Sequence, residues 1–304
     1  MKKALTIFFL LLSLLVFKNI AYAETPIDEC RNFIDAGDYK RAIEAGKLAV
    51  KKYPKNSDAY RCLGEAYYNA GELKLSYENM KKAESLTSNK EELMYIYNQI
   101  GLILDSMGYL DDALLYYSRS LSLAKDLGNT DMQASILNNI AHVYHNKGEL
   151  DRALSYYEES LNLETNEKEK APTYNNIAFI YGEKGDYQKA VEYLQKAIEI
   201  AEKYGDYHYV SIDKLNLGET YRNMKDYESA EKYLSEGLEG VKKVGDKYWE
   251  AIGYVYFGWL YRDKGDKKMA KENYKRAYNL FKSIGAEENA QGVLDEMKEL
   301  DKSK

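Results

Sequence analysis

Large and apolar side chains recur along this chain at spacings of three and four, the signature of one helical face. Tyr60, Leu63 and Tyr67 form such a stripe with Gly64 inside it; a turn at Gly71 follows, then a second stripe at Ser76, Met80 and Ala83. The double pattern returns at Tyr97, Ile100, Gly101 and Leu104, followed by Gly108, Ala113 and Tyr117. It returns again at Leu137, Ile140, Ala141 and Tyr144, then Gly148, Ala153 and Tyr157, and at Tyr174, Ile177, Ala178 and Tyr181, then Gly185, Ala190, Leu194 and Ala197. Two further copies carry Leu217, Gly218, Tyr221, Ala230 and Leu234, and Tyr254, Phe257, Gly258, Tyr261, Gly265, Ala270, Tyr274 and Ala277. Each copy predicts two helices joined at a glycine suited to a left-handed helix end, with an acid behind it to begin the next helix. The small residue of the first stripe admits the second helix closely, and the bulky ones fill the remaining space. Lys225 stands where the other copies have glycine, which predicts a strained or looser turn.

A degenerate copy precedes these, marked by Phe33, Gly37, Ala42, Ala49 and Pro54, with Pro26 placed to open its first helix. Past the last copy, Ala290, Val293, Leu294 and Met297 repeat the first stripe with no second helix, as a capping helix does. Residues 24–285 thus form a repeat array of seven helix pairs, and residues 286–304 a capping helix and tail. The register resembles the tetratricopeptide repeat (TPR) family, whose pattern is an aromatic, Leu-Gly, Tyr, then Ala and a bulky residue. The resemblance implies an all-α, right-handed superhelical solenoid. Gly64, Gly101, Ala141, Ala178, Gly218 and Gly258 lie 37, 40, 37, 40 and 40 residues apart, beyond the family's basic period of about 34. Gly128, Gly205, Gly245 and Gly285 each follow their repeat's close-approach residue by 27 positions, so the extension is expected to end in a shared glycine cap. The chain is similar in this to the long-repeat branch found in kinesin light chains and bacterial peptide-sensing regulators.

The N-terminus follows a different rule. Lys2 and Lys3 precede an apolar run from Ala4 to Phe17, and Ala21-Tyr22-Ala23 supplies small residues at a processing site, so residues 1–23 read as a secretory signal cleaved after Ala23. The run is too short for a membrane-spanning helix. Cleavage removes Lys2, Lys3 and Lys18 and no acid, taking the formal charge from −6 to −9. That acidity, with no basic stripe, disfavours nucleic acid as a partner. Cys30 and Cys62 permit one bridge in an oxidising destination, although two small buried side chains are the plainer expectation.

The resemblance places a partner on the concave wall made by the first helices. Helical geometry nominates Asn98, Leu102 and Asp105; Asn138, His142 and His145; Asn175 and Phe179; Leu215, Glu219 and Arg222; and Val255, Trp259 and Arg262, after Arg61, Glu65 and Tyr68 in the first full copy. Asn98, Asn138 and Asn175 share one repeat position, where amides can hold an extended backbone; the alternative is that asparagines there bond locally. Phe179, Trp259, Arg222 and Arg262 are the expected anchors. No Lys/Asn set for clamping a terminal carboxylate is evident. His142 and His145, with Asp105 from the preceding copy, offer a metal-site alternative, against the plainer reading of polar wall residues. No phosphate-cradling loop or nucleophile motif appears, and no cofactor is implied. The sequence reads as a non-enzymatic protein- or peptide-binding scaffold or adaptor of the cell envelope, exported to the periplasm or secreted, with no stable membrane span after signal cleavage. A ligand- or peptide-sensing regulator is the alternative.

Overall fold

The computed structural model describes residues 25–302; the expectation of a signal segment over residues 1–23, cleaved after Ala23, falls outside them. Among the described residues there are fifteen α-helices and no strand. They are α1 (Pro26–Asp35), α2 (Tyr39–Lys52), α3 (Ser57–Asn69), α4 (Leu73–Glu84), α5 (Lys90–Ser106), α6 (Leu110–Asp126), α7 (Thr130–Asn146) and α8 (Leu150–Leu163), then, after a short 3-10 turn at Glu167–Glu169, α9 (Lys170–Glu183), α10 (Tyr187–Lys203), α11 (Tyr207–Asn223), α12 (Tyr227–Val244), α13 (Lys247–Asp263), α14 (Lys267–Ser283) and α15 (Glu287–Lys302). Seven pairs and a terminal helix result, an α-solenoid as the periodicity required. The chain divides into two compact units at Met132 and Gln133. No helix among the described residues is long and apolar enough to cross a membrane.

The local chemistry sets the helix ends. Pro26 opens α1, where Thr25 and Asp28 cap each other's backbone. Asp186, Asp246 and Asp266 follow a turn glycine, and Asp226 follows Lys225 in its place; each accepts from the backbone N–H three residues on, at 3.0–3.3 Å. Glu72 and Glu149 occupy the same position but make no side-chain cap. Lys225 adopts φ +63° and keeps the bonds of the glycine turns, Lys225 N to Arg222 O at 2.9 Å and Asp226 N to Tyr221 O at 3.0 Å. The turn is strained there and not looser.

The alternation of 37 and 40 residues has a physical cause. In the 40-residue copies the second helices α6, α10 and α12 run 17 to 18 residues and end at Gly128, Gly205 and Gly245 with φ between +66° and +77°. In the 37-residue copies α4 and α8 have 12 and 14 residues, and short links, the second holding the 3-10 turn at Glu167–Glu169, lead into the next first helix. Packing between partners follows the small residue of each first helix. A methyl group on Gly101 would lie 2.5 Å from the ring of Tyr117, and one on Gly258 only 2.3 Å from that of Tyr274. Both tyrosines are fully buried. The α15 helix buries Ala290, Val293 and Leu300 in the same core cluster as Phe257, Tyr274 and Phe281.

In the first unit, α1 and α3 approach closely enough to place the α-carbons of Cys30 and Cys62 6.4 Å apart, and the two are joined in a disulfide. The plainer expectation of two unlinked side chains is overturned.

Candidate functional site

In the second unit the first helices α7, α9, α11 and α13 are tied together by polar rungs that repeat in register. Three residues before the close-approach position, Asn138 donates from Nδ2 to Thr173 Oγ1 of the next first helix at 2.6 Å, and also to Ser160 Oγ at 3.1 Å. Asn175, one repeat on, donates in the same way to Asp213. The acceptors Thr173 and Asp213 both lie five residues before the next close-approach position. A second set of rungs links the residue four after that position to the one five after it in the next repeat. His145 Nε2 lies 2.9 Å from Glu183 Oε2, and Arg222 pairs with Asp263. In the first unit the equivalent Tyr68 and Ser106 hydroxyls lie 3.3 Å apart.

These rungs correct part of the expected wall. Asn98 is buried at 7 % exposure, and Leu215 and Val255 at the same repeat position are buried too, so this position faces the neighbouring helices and not an open surface. Asn138 and Asn175 are half-buried with their amide nitrogens already engaged. The reading of these asparagines as a row offered to a partner backbone gives way to a structural one for Asn98, and for Asn138 as a donor. Arg222, expected as an anchor, has only 12 % of its side chain exposed. Burial works against its charge, but the hydrogen bonds and attraction of Glu219 and Asp263 outweigh burial and hold the guanidinium above its ordinary value. Arg262 is more open and reaches Glu296 of the cap at 2.8 Å. Trp259 is half-buried beneath Arg222, with its ring 5.5 Å from that of Tyr256.

Other nominated residues do reach the surface. Phe179 is 59 % exposed and meets the His145 ring edge-on at 5.4 Å. His142 is exposed beside Asn146, and Asp105 of the first unit is half-buried on α5. Among the described residues no group of three His, Cys, Asp or Glu side chains is placed to hold a metal ion, so the structure does not assemble the metal alternative on His142 and His145.

Two cavities open along this wall, and neither was read from the sequence. The first, of about 310 Å³, lies among the N-terminal halves of α9, α11 and the start of α13, lined by Asn175, Asn176, Tyr209, Asp213, Asn216 and Trp249. The second, of about 230 Å³, lies further along the same helices and includes Phe179, Gly182, Glu219, Asn223 and Tyr256. Asn175 and Asn216 line both, so the two are in series. The second exists because a rung is missing. Gly182 occupies the position held by His145 and Arg222 in other repeats, and a methyl group there would meet nothing within 4 Å. Asn223, the would-be partner, turns to its own helix instead, donating to Glu219 at 3.2 Å and accepting from Arg222 at 2.9 Å, and lines the open space.

Sequence profiles described as tetratricopeptide repeat match residues 28–78, 95–127 and, in three overlapping matches, 132–203, 169–213 and 210–283. Comparison with curated proteins finds no match. Among solved structures, the apo form of RapI superposes with a TM-score of 0.69 at 18% identity, covering 91% of this chain and 85% of that one. The apo form of the quorum sensor NprR from B. thuringiensis gives 0.65 at 18% identity over 90% and 86% of the two chains. The Rap conjugation gene regulator of the plasmid pLS20, in complex with the Phr* peptide, gives 0.63 at 21% identity over 87% and 75%. Identities this low speak for the fold alone, but the profile matches run through most of the array and agree with its register. The chain belongs to the tetratricopeptide repeat family.

Proposed function

We propose that this protein is an exported, non-enzymatic adaptor that binds an extended segment of another polypeptide along the first helices of its second unit. The observation that carries the reading is the pair of cavities in series over α9, α11 and α13. Their amides, from Asn176 and Asn216, suit a peptide backbone, while Phe179, Trp249 and Tyr256 offer apolar anchoring. Rungs on either side hold the helices in place, which lowers the ordering cost of binding. The pLS20 regulator, similar in fold, was solved with a peptide bound, which supports the peptide as ligand class. Export is supported by the Lys2 to Ala23 pattern and by the Cys30–Cys62 bridge, a bond that persists in oxidising compartments.

A displayed decapeptide library panned on the protein tests the reading. Binders are expected to lose about tenfold or more in affinity on Gly182→Leu, which fills the second cavity, and on Phe179→Ala. Neither substitution should lower the melting temperature, since one enters open space and the other removes an exposed ring. An unenriched library, or binders indifferent to both changes, overturns it. Intact mass of the native protein should begin at Glu24; retention of Met1 or Lys2 would remove the export half of the proposal.

A further inference from the structure

The first cavity holds a group that the peptide-binding reading does not use. Asp213 lies on its wall at 2 % exposure, yet its carboxylate has a single hydrogen-bond partner, the amide of Asn175. A carboxylate can accept several hydrogen bonds, and a buried one is costly unless a cation or further donors satisfy it. No Lys or Arg side chain lines the cavity. Its other titratable lining groups are His208 and Tyr209 of α11, and the His208 Nε2 is turned to Asp246, which caps α13, at 2.8 Å; α9 contributes amides and apolar groups, and α13 contributes Trp249. Burial drives the Asp213 carboxyl up to about 7, with Asn175 opposing.

The repeat register makes the acid stand out. The position five before the close-approach residue is filled by Ala59, Ile96, Ile136 and Thr173 in earlier copies, each buried and uncharged. An acid there satisfies no packing need that alanine, isoleucine or threonine does not already meet. A cavity of about 310 Å³ stands at the small end of ligand sites, the size of one side chain and not of a folded partner. Two aromatic rings, Tyr209 and Trp249, stand around it, and aromatic faces attract cations.

Resting on the peptide-binding reading above, we propose that this cavity receives a Lys or Arg side chain of the bound peptide, with the Asp213 carboxylate as its counter-ion and Tyr209 and Trp249 as aromatic walls. The acidic chain, at a formal charge of −6, favours the approach of such a peptide.

The test uses N-acetylated, C-amidated decapeptides, randomised one position at a time, on the full chain. The unaltered protein should select Lys or Arg at one fixed position, and a Lys peptide should bind about tenfold or more tighter than its Met counterpart. In Asp213→Asn, which keeps shape and the ability to accept from Asn175, that ratio should fall to near one. A carbon-13 NMR titration gives an independent reading: the Asp213 carboxyl should ionise at lower pH with the Lys peptide bound than with the Met peptide. Peptides that bind without a basic preference, or a preference that survives Asp213→Asn, each overturn the cation seat and leave the peptide-binding proposal standing. A library with no binders at all overturns both.

Discussion

The buried Asp213 makes folding of the second unit depend on pH in a direction opposite to that of most carboxylates. Its native carboxyl titrates near 7 against an ordinary value of 3.8, chiefly because burial penalises the charge. A folded-state value raised above the unfolded one means that the native state holds the proton more tightly. The contribution is therefore fully present below about pH 4 and is lost as pH rises through 7. At about 1.4 kcal/mol per pH unit, the three-unit span corresponds to about 4 kcal/mol withdrawn from the unit by pH 8.5. Asp213→Asn removes the titration while retaining an oxygen to accept from Asn175. The variant should match the parent within about 1 kcal/mol at pH 4 and exceed it by up to about 4 kcal/mol at pH 8.5. Both tryptophans, Trp249 and Trp259, sit on α13 in the same unit, so their fluorescence during urea unfolding reports the right region. Every other carboxylate is common to the two proteins and drops out of the difference. Stability differences that stay flat between pH 4 and 8.5, or that shrink as pH rises, would show that Asp213 is not held protonated in the folded unit.

Gly258→Ala should destabilise by about 1–3 kcal/mol in urea melts, because the new methyl meets the fully buried Tyr274 ring at 2.3 Å; Gly64→Ala, whose methyl meets flexible Met80 atoms at 3.1 Å, should fall within about 1 kcal/mol of the parent. Equal costs would show that side-chain compliance does not set the tolerance. Lys225→Gly should raise stability by about 1 kcal/mol in the same assay by relieving φ +63°, and no gain would mean the turn is unstrained. Breaking the Cys30–Cys62 bridge, which closes a separation of 32 residues, should cost about 3–4 kcal/mol in denaturation followed by circular dichroism with and without reductant; an unchanged curve would exclude a stabilising bridge. Deleting the chain from Ala286 onward should expose Phe281 and its neighbours and promote aggregation seen by light scattering, and a truncated protein as soluble as the parent would show that α15 is no cap.

The array was legible because its signals are local. Helix stripes, turn glycines and the Pro26 start are each decided within a few residues, and six copies repeat the answer. The two repeat lengths were visible as numbers, but their cause, long second helices ending at Gly128, Gly205 and Gly245 against short α4 and α8, needed the structure. The wall was half legible. Positions such as Phe179 and His142 point outward on any single helix, whereas the position of Asn98, Asn138 and Asn175 lies at the edge between wall and neighbour. Which way it turns depends on how the next first helix packs, a contact about 35–38 residues away for Asn138 and Asn175. Asp213 could have been noticed as an acid where earlier copies carry Ala59, Ile96 and Ile136. Gly182 could not, since its meaning is a missing rung that only the rungs on His145 and Arg222 reveal.

Because each rung has its donor in one repeat and its acceptor in the next, the ways in which the array can lengthen by gene duplication are unequal. A second copy of the segment spanning α9 and α10 would set Asn175 of the first copy opposite Thr173 of the second, the amide-to-hydroxyl pairing that Asn138 and Thr173 already make. Doubling α11 and α12 would instead set Leu215 opposite the Asp213 of the inserted copy and strand a buried acid with no amide to meet it. Heredity can thus extend this array cheaply at one joint and only with compensating substitutions at the next.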